Sequence, residues 1–188
     1  MDKKQLLNFL KKVISGFQNS DIFALKEAAN NAIGEAALAN DRKLAKIALI
    51  AYSLHKMHSK QHIVRHDRWP EIKHDILFDL EKAAKAIKQK NEEEFEYRMQ
   101  AAIDSVKTTD KNIGNYVQNI FEKAKVKYAS TAYSLGLGLG QSAALTGADK
   151  KQLLRYIGLT KISDREATVL GIGKRLKKLK EKLKVQKT

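Results

Sequence analysis

The sequence predicts an all-α protein, and three observations predict it. Apolar side chains recur every three to four residues along almost the whole chain, the period that gathers them on one side of a helix. Ala, Leu, Lys, Glu and Ile fill these stretches, while runs of β-branched residues are few. A single proline in 188 residues leaves long segments free to stay helical. With 43% apolar residues the chain can bury a core, as one generous domain or two small ones.

The first helix is expected over 3–17, with Leu6, Leu10, Val13 and Phe17 on one stripe. The pair Ser20-Asp21 caps a second, which buries Ile22, Leu25, Ala29, Ala32, Ile33 and Ala36; its small residues allow close helix packing. Asn40 or Asp41 opens a third, and its run Leu44, Ile47, Ala48, Ala51 and Leu54 reads as the centre of a bundle. Trp69-Pro70 marks the next start, because proline fits the first helical turn and disfavours helical geometry in the residue before it. Ile72, Ile76, Leu80, Ala83 and Ile87 form its stripe. Asn91 followed by Glu92, Glu93 and Glu94 places acidic groups at the positive end of a helix carrying Phe95, Met99, Ile103 and Val106. A further helix is expected from Thr109-Asp110, carrying Ile113, Tyr116, Val117, Ile120, Phe121, Ala124, Tyr128, Ala132 and Leu135, or else the preceding helix continues with a kink.

Beyond this point glycine usage rises: seven of the ten glycines fall in the last 53 residues. Short helices and turns follow the long ones. The expected organisation is an N-terminal helical bundle over 1–112, for dimerisation or sensing, and a basic nucleic-acid-binding region over 113–188.

Net charge is +15, and its placement says more than its size. Residues 1–119 carry 20 basic and 16 acidic groups, whereas 120–188 carry 16 and 5. A field of that density attracts a polyanion, so nucleic acid is the expected partner, ahead of an acidic protein or an anionic membrane surface. The absence of cysteine excludes disulfides, thiolate zinc sites and cysteine nucleophiles. The N-terminus leads into an amphipathic segment, and the longest apolar run, 47–54, falls far short of the roughly 20 residues that span a bilayer. These features point to a cytoplasmic, nucleoid-associated protein with no membrane partner.

Within 138–158 the residues have the spacing of two short crossed helices. Ala143 supplies a small contact between them, Gly147 a turn that tolerates a left-handed backbone, and Leu153 with Ile157 the apolar lock. Asp149 with Gln152 three residues on reads as a capping box, and Gly158 stands where a glycine would end the second helix. On a helical wheel Leu153 and Ile157 point inward, leaving Lys151, Gln152 and Arg155 to face outward. Arginine pairs bidentately with guanine and glutamine with adenine, so these three are the candidate base-contacting residues. Gln141, Ser142, Lys150, Lys161, Lys174, Arg175, Lys177 and Lys178 are the candidate phosphate contacts.

This stretch, with Gly136, Ala143, Gly147, Leu153, Arg155 and Tyr156 in register, resembles the resolvase and invertase type of helix-turn-helix over about 120–160. The resemblance implies that the second helix enters a major groove and that Lys151, Gln152 and Arg155 do the reading. It implies nothing about recombinase chemistry. A last basic helix is expected after Ser163, with Leu176, Leu179 and Leu183 on one stripe and lysines around them. It suits phosphate contact, a dimer helix or an interfacial membrane helix.

All five histidines lie within 55–74: His55, His58, His62, His66 and His74. On one unbroken helix the first four would share a face and could hold a metal, whereas a helix end there leaves them solvated or hydrogen-bonded. The second reading is preferred and no metal or cofactor is assigned. Arg68 and His74, separated by five residues, are similar to the arginine-to-histidine motif of the HEPN helical ribonucleases, which implies RNA cleavage at a dimer interface. No nucleophile triad, phosphate-binding loop or paired carboxylates stand out. The sequence therefore reads as a non-enzymatic, dimeric, sequence-specific DNA-binding protein, a transcription regulator acting on double-stranded DNA. An RNA-associated protein and an architectural nucleic-acid binder remain the alternatives.

Overall fold

The computed structural model describes the backbone of residues 3–112 and 119–163, and the side chains of 3–109 and 119–159. Among these residues there are nine helices and no strand, so the protein is all-α. The helices are α1 (Lys3–Gln18), α2 (Ile22–Ala39), α3 (Arg42–His58), α4 (Gln61–Val64), α5 (Trp69–Gln89), α6 (Glu92–Asn112), α7 (Ile120–Ser134), α8 (Leu139–Thr146) and α9 (Lys150–Ser163). The expected C-terminal basic helix, with Lys174, Arg175, Lys177 and Lys178, lies outside the described residues.

An Asp or Asn begins most of the helices, and for one reason. The first amides of a helix lack carbonyl partners, and a short side-chain oxygen one residue outside can accept from them. Asp21 Oδ1 accepts from the Ala24 amide at 2.8 Å, Asp41 Oδ1 from Lys43 and Leu44 at 2.8 and 3.0 Å, and Asn91 Oδ1 from Glu94 at 3.0 Å. All three of these caps directly follow a residue in the left-handed conformation, Ser20 (φ 57°), Asn40 (φ 49°) and Lys90 (φ 61°), which closes the preceding helix.

The expected start at Thr109-Asp110 is not where the helix begins. Thr109 is buried within α6 and its hydroxyl donates back to the Ser105 carbonyl at 2.7 Å, so it serves as a mid-helix residue and not as a cap. The next cap is Asn119, whose Oδ1 accepts from the Glu122 amide at 3.2 Å. Ile113, Tyr116 and Val117 fall between α6 and α7, outside the described residues.

α3 is the hub. Leu44, Ile47, Ala48, Ile50, Ala51 and Leu54 have no exposed surface, as a central helix requires. α2 packs on it and buries Ala29, Ala32 and Ala36, whose short side chains allow close helix packing. Ile22 and Ile72, expected in the core, are only half-buried because each lies in the first turn of its helix. The core runs on without a break into Ile120, Phe121, Ala124, Tyr128 and Ala132 of α7 and Leu145 of α8. The main core thus runs across the expected division at residue 112.

The histidines fall into separate environments because α3 ends at His58 and α4 is a single turn, so the common face does not form. His55 is buried and its Nδ1 donates to the Ile22 carbonyl at 3.0 Å. His58 is buried edge-on between Phe17 and Trp69, with ring centroids 5.1 and 5.2 Å away. His62, His66 and His74 are exposed, and no metal-holding group of His, Asp or Glu occurs among the described residues.

The three rings tie α1, α3 and α5 together and make the fold acid-sensitive. Burial, with a smaller contribution from the nearby Lys73 ammonium, pushes the His58 imidazole down from 6.5 to about 4. Above pH 6.5 both folded and unfolded imidazoles are neutral and stability is unaffected; below it the unfolded form takes the proton first, so stability falls until the folded pKa is reached. Denaturant titrations at pH 7 and pH 4.5 should differ by about 2 kcal/mol more in the wild type than in His58→Phe.

Candidate nucleic-acid interface

Two glycines in the left-handed region bracket α8: Gly136 at φ 114° and Gly147 at φ 69°. Between them α8 runs for only eight residues. Gly147 is the αL cap whose amide donates to the Ala143 carbonyl, and three residues, Gly147 to Asp149, connect α8 to α9. Asp149 Oδ1 accepts from the Gln152 amide at 2.8 Å and starts α9.

What fixes α9 is a small second core. Ala129 of α7, Ala143 of α8, and Leu153 and Ile157 of α9 form one buried cluster, with Tyr133, Leu139 and Ala148 packed around it. The small-residue, turn and lock positions read from the spacing are thus brought together. α7, α8 and α9 are each in contact with the other two, which makes a three-helix unit.

With Leu153 and Ile157 inward, Lys150, Lys151, Gln152 and Arg155 are exposed. Among the described residues no ion pair engages Lys150, Lys151 or Arg155. Gln152 uses its backbone amide for the cap and keeps its side chain exposed. Leu159 is 68% exposed, and at about 100° per residue it falls between Arg155 and Gln152 around the axis. Spacing alone did not single it out, although a leucine on the polar side of an amphipathic wheel is a readable signal.

Three expected features differ. Ser142 is buried with its Oγ unpartnered, so it does not meet a phosphate in this conformation; it sits on the side of α8 turned to the core. Gln141 is exposed, but its Oε1 accepts from the Gly138 amide at 3.1 Å and caps α8, leaving its amide nitrogen for an outside partner. Gly158 does not end α9: it does not adopt the left-handed conformation of a terminal glycine, and the helix continues to Ser163. Lys161 is in that last turn, with its side chain outside the described residues.

Arg68 precedes α5 and its Nε donates to Glu71 at 3.4 Å; His74 is exposed one turn further on. Six residues apart on a helix, they lie about 120° apart around the axis. Among the described residues no helix is long and apolar enough to cross a membrane. No family model matches the chain, and neither a curated protein nor a solved structure is significantly similar to it.

Two substitutions test the turn. Gly147→Ala forces a Cβ into a left-handed backbone and should destabilise by roughly 1–2 kcal/mol, measured by urea unfolding. Asp149→Ala removes the α9 cap and should cost about 1 kcal/mol, with faster amide exchange confined to the first turn of α9.

Proposed function

We propose that the protein binds double-stranded DNA through α8 and α9, with α9 in the major groove, and acts as a sequence-specific transcription regulator. The observation that supports this reading best is the three-residue turn at Gly147 joined to the Ala129, Ala143, Leu153 and Ile157 cluster. Together they hold α9 with one face buried and Lys151, Gln152 and Arg155 exposed in the most basic third of the chain.

In this reading Arg155 pairs with guanine, Gln152 with adenine, and Leu159 offers an apolar contact to a thymine methyl. Lys150 and the basic residues beyond 160 neutralise phosphates, and Gln141 adds a contact from α8. Two copies on a two-fold site would place their α9 helices in successive major grooves about 34 Å apart. Electrostatic attraction alone would also hold RNA or unselected DNA, so the discriminating quantity is preference and not affinity.

Selection from a random duplex pool should enrich a two-fold symmetric site. Competition at fixed salt between that site and random duplex should show Arg155→Ala losing about 1–3 kcal/mol of preference. Equal weakening on both DNAs would reduce the reading to nonspecific cationic binding.

A further inference from the structure

A cleft of about 400 Å³ opens where α3, α6, α7 and the end of α8 meet. Four basic residues surround it: Arg42, Lys46, Lys107 and Lys125. Each projects by ordinary helical spacing. Arg42, Lys46 and Leu49 follow one face of α3; Glu96, Gln100, Ile103 and Lys107 one face of α6; Phe121 and Lys125 one face of α7.

The floor is apolar. Leu49, Ile103, Phe121 and Leu145 belong to the main core, yet each keeps 3–4% of its surface exposed, whereas most of α3 behind them keeps none. The Lys107 and Lys125 ammonium groups both stand 5.4 Å from the Phe121 ring centroid, so two cations are gathered over one apolar ring. Glu96 is the single carboxylate lining the cleft, and it pairs with Lys46. Lys125 also pairs with Glu122 at 2.7 Å and Lys107 with Asp104 at 4.0 Å, while Arg42 has no ion-pair partner among the described residues. The lining itself carries four positive charges against one negative, and Asp104 and Glu122 offset part of the excess from outside it.

Like charges crowd at a cost, and a concave, half-apolar site of this size is the usual shape of a small-molecule pocket. The geometry points to this cleft as a binding site for a small amphipathic anion: a phosphate or carboxylate head held by Arg42, Lys107 and Lys125, and an apolar body laid on Leu49, Ile103 and Phe121. A nucleic-acid backbone satisfies the charges but offers nothing for the floor. The 161–188 segment, with 10 basic and 3 acidic residues, is repelled by the rim. Thr146 and Gly147 form one wall, so an occupant touches the turn that positions α9. The assignment does not depend on the DNA reading, and its test uses no DNA.

The probe is 1-naphthyl phosphate, titrated into the full chain by calorimetry, with 1-naphthol and inorganic phosphate as the two halves of the ligand. The wild type should bind one equivalent saturably, and each half should bind about tenfold more weakly or worse. Lys107→Met/Lys125→Met should weaken the probe by about tenfold or more, while Lys88→Met, on α5 away from the cleft, should leave it unchanged. Arg42→Met, which breaks no ion pair, serves in place of the double variant if that variant fails to fold. Absence of saturable binding by the wild type, equal binding of naphthol, or equal affinity in the cleft variants and Lys88→Met would overturn the assignment.

Discussion

Enclosure of α3 constrains the rest of the molecule. Thirteen of its 17 residues are buried, and it meets α1, α2, α6, α7 and α8. A helix enclosed on so many sides gives little surface to water, so most of its buried polar groups find partners inside, although the His58 Nε2 does not. Ser53 donates to the Leu49 carbonyl at 2.8 Å and His55 to the Ile22 carbonyl at 3.0 Å. The helix must also be slim where neighbours cross it, which Ala45, Ala48 and Ala51 provide. Close packing of this kind makes the surrounding helices mutually dependent, since a change in one side chain of α3 is felt on several sides.

α7 carries that constraint to the candidate interface. Two adjacent residues serve two cores: Tyr128 is buried against Tyr52 of α3, with ring centroids 5.2 Å apart and its hydroxyl donating to Asn30 at 3.2 Å, while Ala129 belongs to the cluster that locks α9. Leu145 of α8 joins the main core from the other side. The unit formed by α7, α8 and α9 is thus fastened to the bundle at two points. Its orientation is set by the same packing that stabilises α3.

The charges divide according to what each region buries. On α3 and α6, several cations are matched: Lys43 with Glu92 at 2.9 Å, Lys46 with Glu96, and Arg98 with both Glu94 at 2.6 Å and Asp79 at 3.1 Å. Three of these pairs link neighbouring helices and the Arg98–Glu94 pair lies within α6; where such pairs are solvent-exposed each contributes little to stability. Lys127 is instead half-buried, 4.4 Å from the Tyr52 ring, and burial pulls its ammonium below the usual lysine range. Along α9 the cations stand without acidic partners among the described residues. Positive charge left unmatched on one face, and gathered around one cleft, is what the two functional readings share.

Much of this was legible in the sequence because helical periodicity and capping are local. The stripes of α1, α3, α5 and α6, the caps at Asp21, Asp41, Asn91 and Asp149, and the turn at Gly147 depend on residues within a few positions of one another. The Asn119 cap was legible too, in the Asn-x-x-Glu spacing of Asn119 and Glu122 before Ala124 and Tyr128, but Thr109-Asp110 offered a competing signal that burial of Thr109 overrode. Ser142, expected to face outward to a phosphate, is buried because which side of a short helix faces inward is decided by the helices it packs on, not by its own residues. The cleft was illegible for the same reason: Arg42, Lys107 and Lys125 lie far apart in the chain and converge only when three helices are laid side by side. Spacing determined the helices and their ends; long-range packing alone determined which faces meet, because the apolar contacts that choose neighbours are made between residues the sequence keeps apart.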